Sequence, residues 1–120
     1  MLFFRNDYGA GAHPAVLEAV LRTNMELTSG YGTDPHCLAA AETVRGLCGC
    51  PEAAVHFLVG GTQVNKTAIA AFLRPCEAVA AAASGHICVH EAGAVEGSGH
   101  KVLAIPAPDG KLTPALLEEA

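Results

Sequence analysis

The chain has 120 residues with seven basic and twelve acidic side chains, so its formal charge is −5 and its length suits one ordinary domain. No two basic residues are adjacent, which argues against nucleic acid as a partner, because phosphate backbones are bound by clustered Lys and Arg. Apolar residues make up 51% of the chain, but their longest runs are far shorter than the ~20 residues that a bilayer requires. We therefore expect no membrane partner.

The cysteines and the N-terminal residues bear on the compartment. Five cysteines lack the paired spacing of a disulfide framework or a zinc ribbon, so reduced thiols are expected. The N-terminal residues do not show the basic start, apolar stretch and small-residue cleavage site of a secretory signal. Together these features predict a cytoplasmic protein.

Two helices are predicted in the first half of the chain. The first covers residues 14–25, because apolar residues recur at helical spacing after Pro14. Turn-forming residues 28–35 predict an exposed loop, and Asp34 is the expected N-cap of the second helix. Gly49 is expected to end that helix. Its apolar face is formed by Leu38, Ala41, Val44, Leu47 and Cys48.

The second half alternates predicted strands and helices. Residues 54–59 are short, apolar and β-prone, which is typical of a strand buried on both faces. A helix from Thr62 to the Arg74-Pro75 stop follows, then a strand at 77–83. A helix within 86–96 precedes a strand at 101–105.

The predicted elements end with a turn and a further helix. Asp109-Gly110 indicates the turn, and Thr113-Pro114 is expected to cap the helix. Residue 120 is expected to lie within this helix. Alternating strands and helices predict an α/β fold with a mainly parallel sheet flanked by helices, formed by a single domain over residues 1–120.

The junction between the predicted strand at 54–59 and the following helix carries the sequence Gly60-Gly61-Thr62. Glycines let a backbone approach a ligand closely, and a helix start offers unpaired N–H groups and the positive end of a dipole. The segment suits a phosphate held by amides and by the Thr62 hydroxyl. Closure of a tight turn by the two glycines explains it about equally well.

A nucleotide-binding loop is an alternative interpretation of the same segment. Residues 60–67 match G-x-x-x-x-G-K-[ST] except that Asn65 replaces the second glycine. No Asp directly follows the strand at 101–105 to hold magnesium. This alternative therefore ranks below the first.

Histidines and a cysteine alternate at His86, Cys88 and His90. On a strand the three side chains would share one face, and on a helix His86 and His90 would do so. Either arrangement permits metal ligation, but histidines in a core or on a surface explain the spacing more simply. We predict no metal site.

Five motifs, in order, resemble the pyridoxal-phosphate-dependent low-specificity threonine aldolases within the β-eliminating lyase group. They extend over nearly the whole chain and are Asn6-Asp7-Tyr8, Gly30-Tyr31-Gly32-Thr33-Asp34-Pro35, Gly60-Gly61-Thr62-Gln63-Val64-Asn65, His86 through Glu91-Ala92-Gly93, and Asp109-Gly110-Lys111-Leu112. The resemblance implies the N-terminal part of the large domain of a fold type I enzyme, with pyridoxal 5'-phosphate as cofactor.

The resemblance also implies residue roles. Gly61 and Thr62 match the phosphate-binding turn, and His86 matches the histidine that stacks on the pyridine ring and handles protons. Tyr31 matches a tyrosine that reaches into a neighbouring subunit's site. Asn6 and Asp7 match the segment lining the substrate pocket, with Asn6 replacing the commoner Ser.

The implied reaction is carbon–carbon cleavage of a β-hydroxy-α-amino acid, such as threonine, to glycine and an aldehyde, in a dimer or tetramer. The family's Schiff-base lysine and its pyridine-partner aspartate fall in a region that would follow residue 120, and Lys66, Lys101 and Lys111 do not match the lysine motif. We therefore expect the chain to be the N-terminal part of a longer lyase, inactive alone. A non-catalytic partner of a full-length relative, docking through the Tyr31 loop, is a further alternative.

Overall fold

The computed structural model describes residues 9–120 and divides the chain between His56 and Phe57 into two units. Asn6 and Asp7 lie outside the described residues. The first unit contains helices α1, Pro14–Thr23, and α2, Pro35–Cys48. No helix of the described residues combines the length and apolar character needed to cross a bilayer.

Helix α1 begins at Pro14, as predicted, and ends two residues before the predicted boundary. The Nδ1 atom of His13 accepts a hydrogen bond from the Ala15 amide at 3.2 Å at its start. At its end the Thr23 hydroxyl donates to the Ala19 carbonyl at 3.1 Å, and the Glu26 amide donates to the Thr23 carbonyl in a turn. This turn carries the chain out of the helix before Met25.

Helix α2 has both predicted caps. The Asp34 carboxylate accepts from the Cys37 amide at 2.9 Å, and Gly49 ends the helix with a left-handed φ of 62°. The Arg45 guanidinium donates to the Ala53 carbonyl at 2.8 Å and so ties down the segment after the helix. Of the predicted apolar face only Ala41 is buried.

The second unit contains α3, Gly61–Phe72, β1, Ala78–Ala82, and α4, His86–Val89. A 3-10 turn at Glu96–Ser98, strand β2 at Lys101–Ile105 and helix α5 at Pro114–Glu118 follow.

Strands β1 and β2 pair in parallel, with Ala78 opposite Lys101 and Ala82 opposite Ile105, which confirms the predicted parallel sheet. Alanine is a poor strand former, so the pairing itself stabilises β1. Ala82 and Ile105 are buried together with Val95, which is fully buried.

The prediction of a strand at 54–59 is wrong. Residues 53–58 have no regular structure, and Phe57 and Val59 are exposed. A strand requires neighbours to pair its backbone groups, and within residues 9–120 the sheet contains only β1 and β2. The Val59 amide donates to the Gln63 side chain at 2.8 Å instead.

The prediction of a helix within 86–96 is confirmed by α4. It ends at Val89, and the chain resumes helical turns only at Glu96. Ala92 and Gly93 have φ values of 49° and 77°, left-handed conformations that interrupt a right-handed helix. The Thr113 cap of α5 is present as predicted, with its hydroxyl accepting from the Leu116 amide.

Candidate functional site

The start of α3 is open to solvent and has no side-chain cap. The N-cap Gly60 is extended, and a Cβ added at Gly60 or Gly61 would meet no atom within 4 Å. No neighbouring side chain therefore requires glycine at these positions, and the start of the helix is open. Thr62 is exposed in this first turn, so its hydroxyl lies beside N–H groups that suit an anion.

The nucleotide-loop alternative does not fit this geometry. Residues 61–65 are already helical, so they do not form the loop that wraps a phosphate chain. Asn65, at the position of the second glycine, directs its amide to Glu91, and Lys66 is exposed.

His86 begins α4, immediately after the turn that follows β1. The turn is tight: the Gly85 amide donates to the Ala82 carbonyl at 2.7 Å, and a Cβ at Gly85 would lie 2.9 Å from that oxygen. Only glycine fits there without a shift. This places His86 just beyond the carboxyl end of a parallel strand, where α/β folds commonly bind ligands.

The His86 side chain is 62% exposed and is held from one side. Its Nδ1 atom lies 2.8 Å from Oε1 of Glu91, whose side chain is fully buried. The His90 ring lies beside it, with centroids 5.3 Å apart and planes tilted by 53°. One face or edge of the His86 ring thus remains accessible to a ligand.

Glu91 connects His86 to α3. Its Oε1 also accepts from the Asn65 Nδ2 group at 2.6 Å, across 26 residues of sequence. The two segments that the motifs single out, at the α3 start and at His86, are therefore joined through a buried carboxylate. The sequence motifs include Asn65 and Glu91, but no role was predicted for either; a carboxylate among small and apolar residues is the signal that could have drawn attention to Glu91.

The other predicted site residues are Tyr31 in the first unit and Asn6 and Asp7, which lie outside the described residues. Tyr31 is fully exposed in the first unit, with a left-handed φ of 61°. Its predicted role remains a prediction, as do those of Asn6 and Asp7.

The described residues also bear on metal binding and on the position of a cavity. Within residues 9–120, no three His, Cys, Asp or Glu side chains are grouped as metal ligands; the Cys88 thiol contacts the Ala82 carbonyl at 3.3 Å. A cavity of about 250 Å³ lies between the end of β2 and α5, and its lining contains none of the predicted site residues.

Comparison with known proteins places these features in a family. The model of the β-eliminating lyase family matches residues 4–120. A low-specificity L-threonine aldolase from Pseudomonas sp. (strain NCIMB 10558) is 30% identical over 118 residues, which are 97% of this chain and 34% of the relative. The solved threonine aldolase of Leishmania major is 50% identical with a TM-score of 0.89, covering 95% of this chain and 33% of that one.

The chain thus spans about a third of the length of these two relatives. The match to the solved enzyme confirms the predicted fold class over nearly the whole chain. The chain belongs to the β-eliminating lyase family and has the threonine aldolase fold.

Proposed function

We propose that this chain supplies the phosphate-side and ring-side residues of a pyridoxal 5'-phosphate site in a lyase that cleaves β-hydroxy-α-amino acids. The observation that carries the proposal is the link from His86 through Glu91 to Asn65 of α3. It ties an accessible imidazole to the helix whose start is open and rich in N–H donors. The family and the two threonine aldolases support the substrate class.

The residues present fit this cofactor. Amides at Gly61 and Thr62 and the Thr62 hydroxyl would hold the phosphate ester, since helix starts favour anions. The exposed ring of His86 would stack on the pyridine ring. When bound, the cofactor supplies a conjugated ring that takes up the electrons released as the carbon–carbon bond breaks.

The residues of this chain contribute binding, orientation and proton handling. Thr62 and the helix amides fix one end of the ligand, while His86 excludes water from one face of the ring and is the group that exchanges protons with the substrate. In the whole protein we propose a homo-oligomer acting in the cytoplasm, to which Tyr31 contributes across subunits and Asn6 and Asp7 line the substrate pocket. The five free cysteines agree with a reducing compartment.

Cofactor binding is tested by calorimetric titration of the chain with pyridoxal 5'-phosphate. Thr62→Ala should weaken binding by about tenfold or more, because a hydrogen bond to a charged group is lost. The matched control is Thr67→Ala, the same change at an exposed position further along α3, and it should bind as the unaltered chain does. Inorganic phosphate should compete. Equal affinities of the two variants would contradict the phosphate assignment.

The reaction is tested in a chimera in which this chain replaces the matching third of the Leishmania major threonine aldolase. We expect threonine cleavage to glycine, reduced about 100-fold or more by His86→Ala, in line with the usual contribution of proton-transfer groups. His90→Ala, a neighbouring exposed histidine, serves as the control. A His86→Ala chimera with an undiminished rate would refute the role of this ring.

A further inference from the structure

The carboxylate of Glu91 is buried in an environment that leaves it few partners. Its side chain has no exposed surface, and among the described residues its Oε2 atom has no hydrogen-bond partner. Both of its bonds converge on Oε1, from Asn65 at 2.6 Å and from His86 at 2.8 Å. A buried carboxylate without partners is costly, so these two bonds stabilise it in place.

The chemistry of the two donors decides which tautomer of His86 is present. The Asn65 Nδ2 group only donates, so Oε1 must accept, as it does in an ionised carboxylate. An ionised carboxylate can only accept, so its bond to His86 requires the hydrogen to be on Nδ1. The neutral ring then has its lone pair on Nε2, on the side of the imidazole away from Glu91.

Orientation of the ring depends on this bond because little else restrains it. The His86 side chain is 62% exposed, and His90, the titratable group beside it, is also exposed. An exposed histidine without a fixed partner populates both neutral tautomers and several rotamers. A buried acceptor removes that freedom.

We propose that Glu91 is a positioning residue that fixes neutral His86 as the Nδ1–H tautomer and so leaves Nε2 as the atom that accepts a proton from a bound ligand. The identity of that ligand rests on the proposed function. The tautomer itself is a property of the chain and is measurable without any cofactor.

The primary test is a long-range ¹H–¹⁵N correlation spectrum of the histidine-labelled chain, recorded in alkaline buffer so that the neutral tautomers are observed. His86 should show a protonated Nδ1 and an unprotonated Nε2, whereas exposed His90 should show a mixture of tautomers. A His86 spectrum with Nε2 protonated, or with the same mixture as His90, would overturn the proposal.

Two substitutions at position 91 distinguish the effect of the hydrogen-bond acceptor from the effect of side-chain size. Glu91→Met removes both carboxylate oxygens but keeps a side chain of similar length. The His86 ring should then populate a mixture of the two neutral tautomers, and the affinity for the cofactor should fall about tenfold. Glu91→Gln should keep the Nδ1–H tautomer, because the Asn65 donor orients the new amide so that its oxygen faces Asn65 and His86. Glu96→Met, at an exposed carboxylate of the same segment, is the control and should change neither readout.

The outcomes distinguish this inference from the proposed function. If the chain does not bind pyridoxal 5'-phosphate but His86 is held as Nδ1–H and loses that preference in Glu91→Met, the proposed function fails and the role of Glu91 stands. If the cofactor binds and Glu91→Met leaves the His86 tautomer unchanged, the positioning role is wrong. Should Glu91→Met fail to fold, a mixture of His86 tautomers in the unaltered chain still overturns the proposal.

Discussion

Two residues that touch no expected ligand decide where the His86 ring lies. Gly85 permits the tight turn after β1, and Glu91 holds the ring from its buried side. The helix-start argument singled out Gly61 and Thr62 from the sequence, whereas the role of His86 came from the family resemblance, and all three roles remain predictions. Sequence reasoning assigned no role to Glu91 or Asn65, because their bond crosses 26 residues and depends on how α3 packs.

Gly85→Ala tests the turn at the residue scale. The added Cβ would lie 2.9 Å from the Ala82 carbonyl oxygen, a backbone atom that cannot move without disturbing β1. We expect a loss of about 1–3 kcal/mol in the free energy of unfolding, measured by denaturant titration.

The control for this turn is Gly97→Ala. A Cβ at Gly97 would meet nothing within 4 Å, and its φ is not positive. This variant should be neutral or slightly stabilising, since alanine restricts the unfolded chain more than glycine does. Equal destabilisation by the two variants would show that the close approach at Gly85 is unimportant.

At the scale of elements, local signals were sufficient where the stabilising contacts are local. Asp34 caps the start of α2 and Gly49 caps its end, as predicted, because a capping residue forms hydrogen bonds only to residues a few positions away. The strand at 54–59 was wrongly predicted because an apolar, β-prone run says nothing about whether a neighbouring strand is available. The segment 86–96 contains the predicted helix, but its end at Val89 was not predicted, because alanine, a good helix former, takes a left-handed conformation at position 92.

The α2 cap predicts how this helix responds to acid. Hydrogen bonding by the Cys37 thiol, and next by its backbone amide, lowers the pKa of Asp34 below its ordinary value of 3.8. The side-chain bond to Asp34 raises the pKa of the Cys37 thiol. A carboxylate with a lowered folded-state pKa stabilises the fold above its unfolded-state pKa, and this contribution is lost as the pH falls through the folded-state value.

Asp34→Ala should therefore lower the thermal midpoint of helix unfolding at neutral pH, and the difference from the unaltered chain should shrink as the pH falls below 3.8. Circular dichroism melts across this range measure it. Glu52→Ala, at an exposed carboxylate outside the helices, should give no such pH-dependent difference. A constant difference at all pH values would contradict a role for the charge.

At the scale of the whole molecule, much apolar surface of the described residues is exposed. On α1, Leu17 is 52% and Leu21 76% exposed, and the buried apolar residues are only Ala41, Ala82, Val95 and Ile105 within residues 9–120. Large exposed apolar surfaces favour association. The sequence alone predicted amphipathic helices; what covers their apolar faces depends on packing that a periodic pattern does not specify.

We expect the chain to associate in a concentration-dependent manner, as measured by sedimentation velocity. Leu21→Gln should shift the distribution toward smaller species, because it removes apolar surface from α1 without breaking the helix. Glu18→Gln, at another exposed position of α1, is the control and should leave the distribution unchanged. A monomer at all concentrations would refute the expectation.

The bond between Asn65 and Glu91 also has an evolutionary consequence. Because the Asn65 Nδ2 group donates and the Glu91 oxygen accepts, we expect an inherited replacement at either position to be tolerated only when the other position restores a matching donor and acceptor. We therefore expect selection to act on the two sites jointly, with the imidazole at position 86 depending on the pairing that they retain.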